Sequence, residues 1–190
     1  MGFKFIISKN SLLKFKQLFL CFIFYSVLGW LYEVFLEVFV YKWGFSNRGV
    51  LFGPYCPIYG FGAIIIIKLF GEKFKGKYNI KDYIKRSIYV FLACAIIATL
   101  IELAASYILE FLTGSWPWQT YVDYAINFEG RIALSTSIRF GIGALIIVAF
   151  IEPVFNMLLN KMSVKVLNLL FYLIFIVFSV DLIVRIFTYF

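Results

Sequence analysis

Residues 47–63 read NRGVLFGPYCPIYGFGA. The stretch has the glycines and prolines of a loop, yet it is nearly as apolar as a membrane span. Lipid offers no hydrogen-bond partners, so non-helical backbone at membrane depth persists only where protein or a water-filled cavity satisfies it. In transporters such breaks mark binding sites. The expectation is irregular chain over residues 50–57, dipping into the bilayer from outside because Gly53-Pro54 and Pro57 interrupt a helix. A half-helix of about 20 Å follows over residues 58–70, too short to cross alone.

Working outward, the chain of 190 residues is 63% hydrophobic, 22% aromatic and only 15% charged, which excludes an ordinary soluble domain. Five apolar segments approach the roughly 20 residues that a span needs. They cover residues 18–41, 50–70, 87–112, 132–151 and 166–189. The fold class is therefore all-α, a polytopic transmembrane helical bundle in a single domain over residues 1–190, with its second span broken. The net charge of +8 is a topology signal. Lys4, Lys9, Lys14 and Lys16 precede the first span; Lys73, Lys75, Lys77, Lys81, Lys85 and Arg86 follow the second; Lys161 and Lys165 follow the fourth. All three groups fall on one side, which the positive-inside rule makes the cytoplasm. The N-terminus is then inside and the C-terminus outside the cell membrane, and no nucleic-acid partner is implied.

The apolar run at the N-terminus is too long, and lacks the small-residue site, for a cleavable signal. It reads as a retained span. Cys21, Cys56 and Cys94 lie in different spans without metal-ligand spacing, and there is no histidine. Neither a disulfide framework, a metal site nor a cofactor is expected.

The two halves resemble each other. An offset of 81 places Gly49 on Gly130, Gly60 on Gly141, Gly62 on Gly143 and Ala63 on Ala144, and a shorter offset places Glu33 on Glu102. Residues 1–17 then read as a basic cytoplasmic N-terminus, 18–70 as a first two-span copy, 71–86 as a basic cytoplasmic loop, 87–152 as a second copy, and 153–190 as a linker and last span. Even-numbered units make a parallel repeat. Where the first copy has prolines, the second has Ser135, Thr136, Ser137 and Arg139.

Ionisable side chains inside spans cost about 2.5–3.5 kcal/mol each at the centre and need partners or water. Glu33, Glu102, Asp181 and Arg139 all reach the outer half of the bilayer. Glu33 and Glu37 share a helical face with Ser26 and Gly29, and Glu102 shares one with small residues, so both faces turn inward. Asp181 and Arg185, spaced i, i+4, read as a self-neutralising structural ion pair. The candidate ligand-binding residues are Glu33, Glu37, Asn47, Arg48, Cys56, Tyr59, Glu102 and Arg139, around a polar site open to the outside. The half-helix N-terminus with Arg48, Arg131 and Arg139 suits an anion, whereas the glutamates suit a cation or protons. Trp30, Trp43, Trp116, Trp118, Tyr41 and Tyr121 read as an aromatic belt.

Residues 71–77, GEKFKGK, match most of a phosphate-binding loop. Tyr78 stands where magnesium requires Ser or Thr, and no strand precedes. Any ATP-driven action needs a second polypeptide.

YSVLGWLYE (residues 25–33), NRGVLFGPYCPIYGFG (47–62) and NFEGRIALSTSIRFG (127–141) together resemble the bacterial membrane family named putative ABC-transporter type IV. The resemblance covers nearly the whole chain. It implies a permease-like role and supplies neither a substrate nor functional residues to carry over. Phe140 stands where the last motif leads one to expect Trp. The reading is a cytoplasmic-membrane transport protein without catalytic residues, working alone, as a homo-oligomer, or with a separate ATPase subunit. Two alternatives stay open: an intramembrane enzyme acting on a lipid or isoprenoid, and a non-catalytic scaffold or regulatory subunit.

Overall fold

The computed structural model describes residues 11–74, 76 and 78–189. Lys4 and Lys9 of the expected basic N-terminus, and Lys75 and Lys77 of the basic loop, lie outside them. The described chain is mainly helical. Helix α1 (Ser11–Phe35) continues through a π-helical turn, Leu36–Val40, and α2 (Pro57–Phe70) and α3 (Ile80–Thr113) follow. A short 3₁₀ turn (Gln119–Asp123) and a hairpin of β1 (Asn127–Phe128) and β2 (Ile132–Ala133) lead into α4 (Leu134–Ile146). A second π-helical turn, Ile147–Ile151, joins α4 to α5 (Glu152–Lys161), and α6 (Val164–Tyr189) ends the chain.

Four helical stretches are long and apolar enough to cross a membrane: Ser11–Val40, Ile80–Thr113, Leu134–Lys161 and Val164–Thr188. The fifth, α2, has only 14 residues and begins at Pro57. Proline suits that first helical position because its missing N–H has no intrahelical partner there. The interrupted second span is thus a half-length helix, with residues 41–56 before it in irregular conformation.

The chain forms two compact units. Among the described residues, one is Ile65–Asn156 and the other comprises 11–64 and 157–189, so the division falls inside α2. In the second of these, α6 packs on α1 through aromatic rings. Phe19 meets Phe171, Phe175 and Phe178 at centroid distances of 5.4, 5.3 and 5.9 Å, edge-on arrangements favoured by the ring quadrupole. Beside them Lys16 is buried, donating to Asn168 Oδ1 (2.8 Å) and Tyr172 Oη (3.1 Å) with its ammonium 4.3 Å from the Tyr172 ring centre. Helix α2 crosses α1 where side chains vanish. A Cβ on Gly60 would fall on Ser26 Oγ and the Phe22 carbonyl oxygen, and one on Gly29 would fall on the Tyr59 ring.

In the Ile65–Asn156 unit, α3 and α4 lie against each other over a core of Ile66, Phe70, Val90, Cys94, Ala144 and Val148. Here too a glycine sets the approach: a Cβ on Gly141 would stand 2.8 Å from the Phe91 ring and 3.0 Å from its carbonyl oxygen.

Two segments differ from expectation. Of the basic loop expected to residue 86, the described residues are non-helical only to Asn79, whose side chain caps α3 by accepting from the Asp82 N–H at 2.8 Å. Lys81, Lys85 and Arg86 are therefore helical. The linker expected from residue 153 is also helix. Pro153 lacks an N–H and its ring crowds the carbonyl four residues back, but the widened turn just before it opens the ladder there, and the helix runs on to Lys161.

Candidate functional site

The irregular segment 41–56 turns at Lys42, Gly44 and Gly49, all with positive φ. Gly49, at φ 98°, also lies so close to the chain ahead that a Cβ would stand 3.1 Å from both Cys56 Sγ and the Tyr55 carbonyl. Only glycine meets both demands. Several backbone polar groups of this segment find partners on α1, on α6 and within the segment. Cys56 N–H donates to the Ser26 carbonyl at 2.9 Å. Asn47 Nδ2 donates to the Phe52 carbonyl at 2.8 Å, while Trp30 Nε1 holds Asn47 Oδ1 at 2.7 Å.

Asp181 of α6 closes the break. Its carboxylate accepts the Phe52 N–H at 3.0 Å, the Gly53 N–H at 2.7 Å and the Tyr55 hydroxyl. One turn on, Arg185 donates to the Val50 carbonyl at 2.6 Å and lies 4.7 Å from the Phe52 ring centre. Sequence spacing suggested that these two charges serve each other. They do interact electrostatically, and both also reach across to residues 50–55 and hold them.

Towards the end of α1, Glu37 is only 6% exposed. Arg48 grips it bidentately at 2.9 and 2.8 Å, and Ser46 donates to it through its hydroxyl (2.7 Å) and N–H (3.3 Å). One turn earlier Glu33 accepts the Tyr59 hydroxyl. The buried Cys56 thiol interacts electrostatically with both Glu33 and Arg48. Six of the eight expected ligand-binding residues, Glu33, Glu37, Asn47, Arg48, Cys56 and Tyr59, thus gather in one unit.

Glu102 and Arg139 belong to the other unit, on α3 and α4. Glu102 is buried and accepts the Tyr121 hydroxyl at 2.9 Å. Near it the connector between α3 and α4 is organised by Arg131, which donates to Ser106 Oγ (3.4 Å), pairs with Glu110 (2.5 Å) and lies 3.6 Å from Glu129. Its guanidinium is sandwiched between Tyr107 and Trp116, 4.0 and 4.1 Å from the ring centres. Trp118 Nε1 donates to the Arg131 carbonyl at 2.8 Å.

Sequence reasoning missed Tyr55, Ser46 and Glu110 altogether. It also placed Trp30, Trp116, Trp118 and Tyr121 in an aromatic belt with no further role, whereas each ties a connector down. Their signal was available: an amphipathic ring beside a polar loop carries a donor that needs an acceptor once buried. Among the described residues, no group of three or more His, Cys, Asp or Glu side chains could hold a metal ion.

Searches of curated proteins and of solved structures each return no match. The family described as Putative ABC-transporter type IV matches residues 20–186, nearly the whole length, and this multi-pass membrane chain belongs to that family.

Proposed function

We propose that the protein is a permease-type component of the cytoplasmic membrane, with its N-terminus inside and its C-terminus outside, and that Glu33, Glu37, Asn47, Arg48, Cys56 and Tyr59 form an outward-facing ligand site. Glu102 and Arg139 are its counterpart in the second copy. The observation that carries this reading is the break before Pro57, where side-chain carboxylates and amides hold irregular backbone beside Glu33 and Glu37. Irregular backbone in an apolar protein is tolerated where it lines a cavity or binding site. A ligand carrying donor groups can displace the Tyr59 hydroxyl from Glu33, and one carrying a charge can open the Arg48–Glu37 pair. Energy comes from a separate ATPase subunit or from an ion gradient; family membership favours the ATPase.

The test begins with purification of the full chain from native membranes in mild detergent, with mass spectrometry of co-purifying proteins and small molecules. The enriched small molecule is then offered to proteoliposomes, with the co-purified ATPase if one is found. Wild-type vesicles should take it up, and E33Q/E102Q vesicles should lose uptake while the variant keeps its elution volume and helical signal. Uptake unchanged in the double variant overturns the site assignment.

A further inference from the structure

We propose that the amino-terminal end of α3 binds the phosphate headgroup of an anionic phospholipid, with its acyl chains lying along the helix above. This site does not depend on the ligand site near Pro57.

Lys73, Asp82, Lys85, Arg86 and Tyr89 line a recess of about 280 Å³, all within the Ile65–Asn156 unit. Three cations face one carboxylate, leaving two positive charges in a single recess. The cations are placed. Arg86 donates to the Lys73 carbonyl at 3.1 Å and lies 4.1 Å from the Tyr78 ring centre, and the Lys73 ammonium stands 5.7 Å from the Tyr89 ring centre. Lys81, one turn before Lys85 on the same helical face, adds like charge that an anion would relieve.

What selects a lipid over a free anion is the surface that follows. From Lys85 the same face of α3 continues as Ile88, Leu92, Ile96 and Leu100, each 54–61% exposed. The face changes from charged to wholly apolar within one turn, and Tyr89, 55% exposed, stands at the change. An aromatic ring at such a boundary marks the headgroup level of a bilayer. A basic recess directly beneath an apolar helix face is the chemistry of a phosphate with acyl chains attached, and clustered Lys and Arg at that level favour anionic lipids.

The experiment is native mass spectrometry of the full chain in detergent, titrated with phosphatidylglycerol, phosphatidylcholine or inorganic phosphate. Phosphatidylglycerol should bind at least about tenfold more tightly than phosphatidylcholine, and K73Q/K85Q/R86Q should lose that preference. K14Q/K161Q/K165Q removes the same charge elsewhere and should keep it. Equal losses in both triple variants overturn the site in favour of diffuse attraction. Inorganic phosphate competing as well as phosphatidylglycerol overturns the lipid in favour of a soluble anion. Lys85 is exposed, so K85Q alone, which disturbs no packing, should weaken the preference about fivefold; an unchanged preference in K85Q overturns the proposal even if the triple variant fails to fold.

Discussion

The connector after α1 and the connector after α3 solve one problem in two ways. Offsets of 69 for the first helix and 81 for the second bring the matching parts together. Gly60 against the Phe22 carbonyl corresponds to Gly141 against the Phe91 carbonyl. By the first offset Glu33 and Glu37 fall on Glu102 and Ser106; their partners do not sit at matched positions, but Tyr59 holds Glu33 as Tyr121 holds Glu102, and Arg48 holds Glu37 as Arg131 holds Ser106. Ala63 and Ala144 are buried alike. The matched glycines and glutamates, each in contacts internal to its own unit, are what a duplicated two-helix element would place together.

The connectors then part. By the 81 offset, α4 begins one turn earlier than α2, at the position of Gly53. The second copy enters its helix from a hairpin, with the Thr136 and Ser137 hydroxyls donating to the Ala133 carbonyl. In the first copy, Gly53-Pro54 and Pro57 delay the helix, and the exposed N–H groups of Phe52 and Gly53 turn to Asp181. The difference teaches that the last long helix, α6, compensates for the break. The copy without prolines needs no such carboxylate.

D181A should break the comparison most. It removes the acceptor of two N–H groups and a hydroxyl, at about 3–5 kcal/mol, and no single side chain in the second copy has an equivalent effect. Thermal unfolding in detergent reads the loss; a shift no larger than that of a surface control would show that the break is held some other way.

Charge pairs in the two connectors give the next contrast, because the buried member differs. In the first it is the acid, with the Glu37 side chain 7% exposed against 30% for Arg48; in the second it is the base, Arg131 at 9% against 41% for Glu110 and 55% for Glu129. R48A strands a buried carboxylate that keeps only Ser46, and should cost about 2–3 kcal/mol. E110A leaves Arg131 with Glu129, Ser106 and two rings, and should cost under about 1 kcal/mol. Equal effects in the same unfolding assay would deny the asymmetry.

Matched glycines test the shared geometry, and the pair in open space should give the smallest effects of all. G60A and G141A push a methyl group against a neighbouring carbonyl, and each should cost about 1–3 kcal/mol. Gly62 and Gly143, matched by the same offset, have nothing within 4 Å of an added Cβ. G62A and G143A should be neutral or slightly stabilising. A pair that splits, one costly and one neutral at matched positions, would undo the alignment.

Much of the architecture was legible because its signals are local. Apolar run lengths marked the spans, and Gly53-Pro54 with Pro57 marked the broken one. The Asn79-x-x-Asp82 cap was legible too, but the neighbouring charges drew attention to a loop. Pro153 misled for a different reason: the π-helical turn that accommodates it leaves no residue-type signature. In the candidate site, spacing identified Glu33, Glu37 and Arg48 but could not choose partners. Asp181 and Arg185, four residues apart, were legible as a pair, but the further partners each takes about 130 positions away were not. Such pairings follow from packing, and packing is not written in any one segment.

The clamp by Asp181 also has a consequence in time. The Gly53 N–H leaves the ribosome 128 residues before the carboxylate that receives it, which at about 5–20 residues per second is a delay on the order of ten seconds. During that interval the first two helices are in the membrane with their break unsealed. Quality control has a defined feature to inspect, and a chain that stops short of its last helix carries that feature permanently.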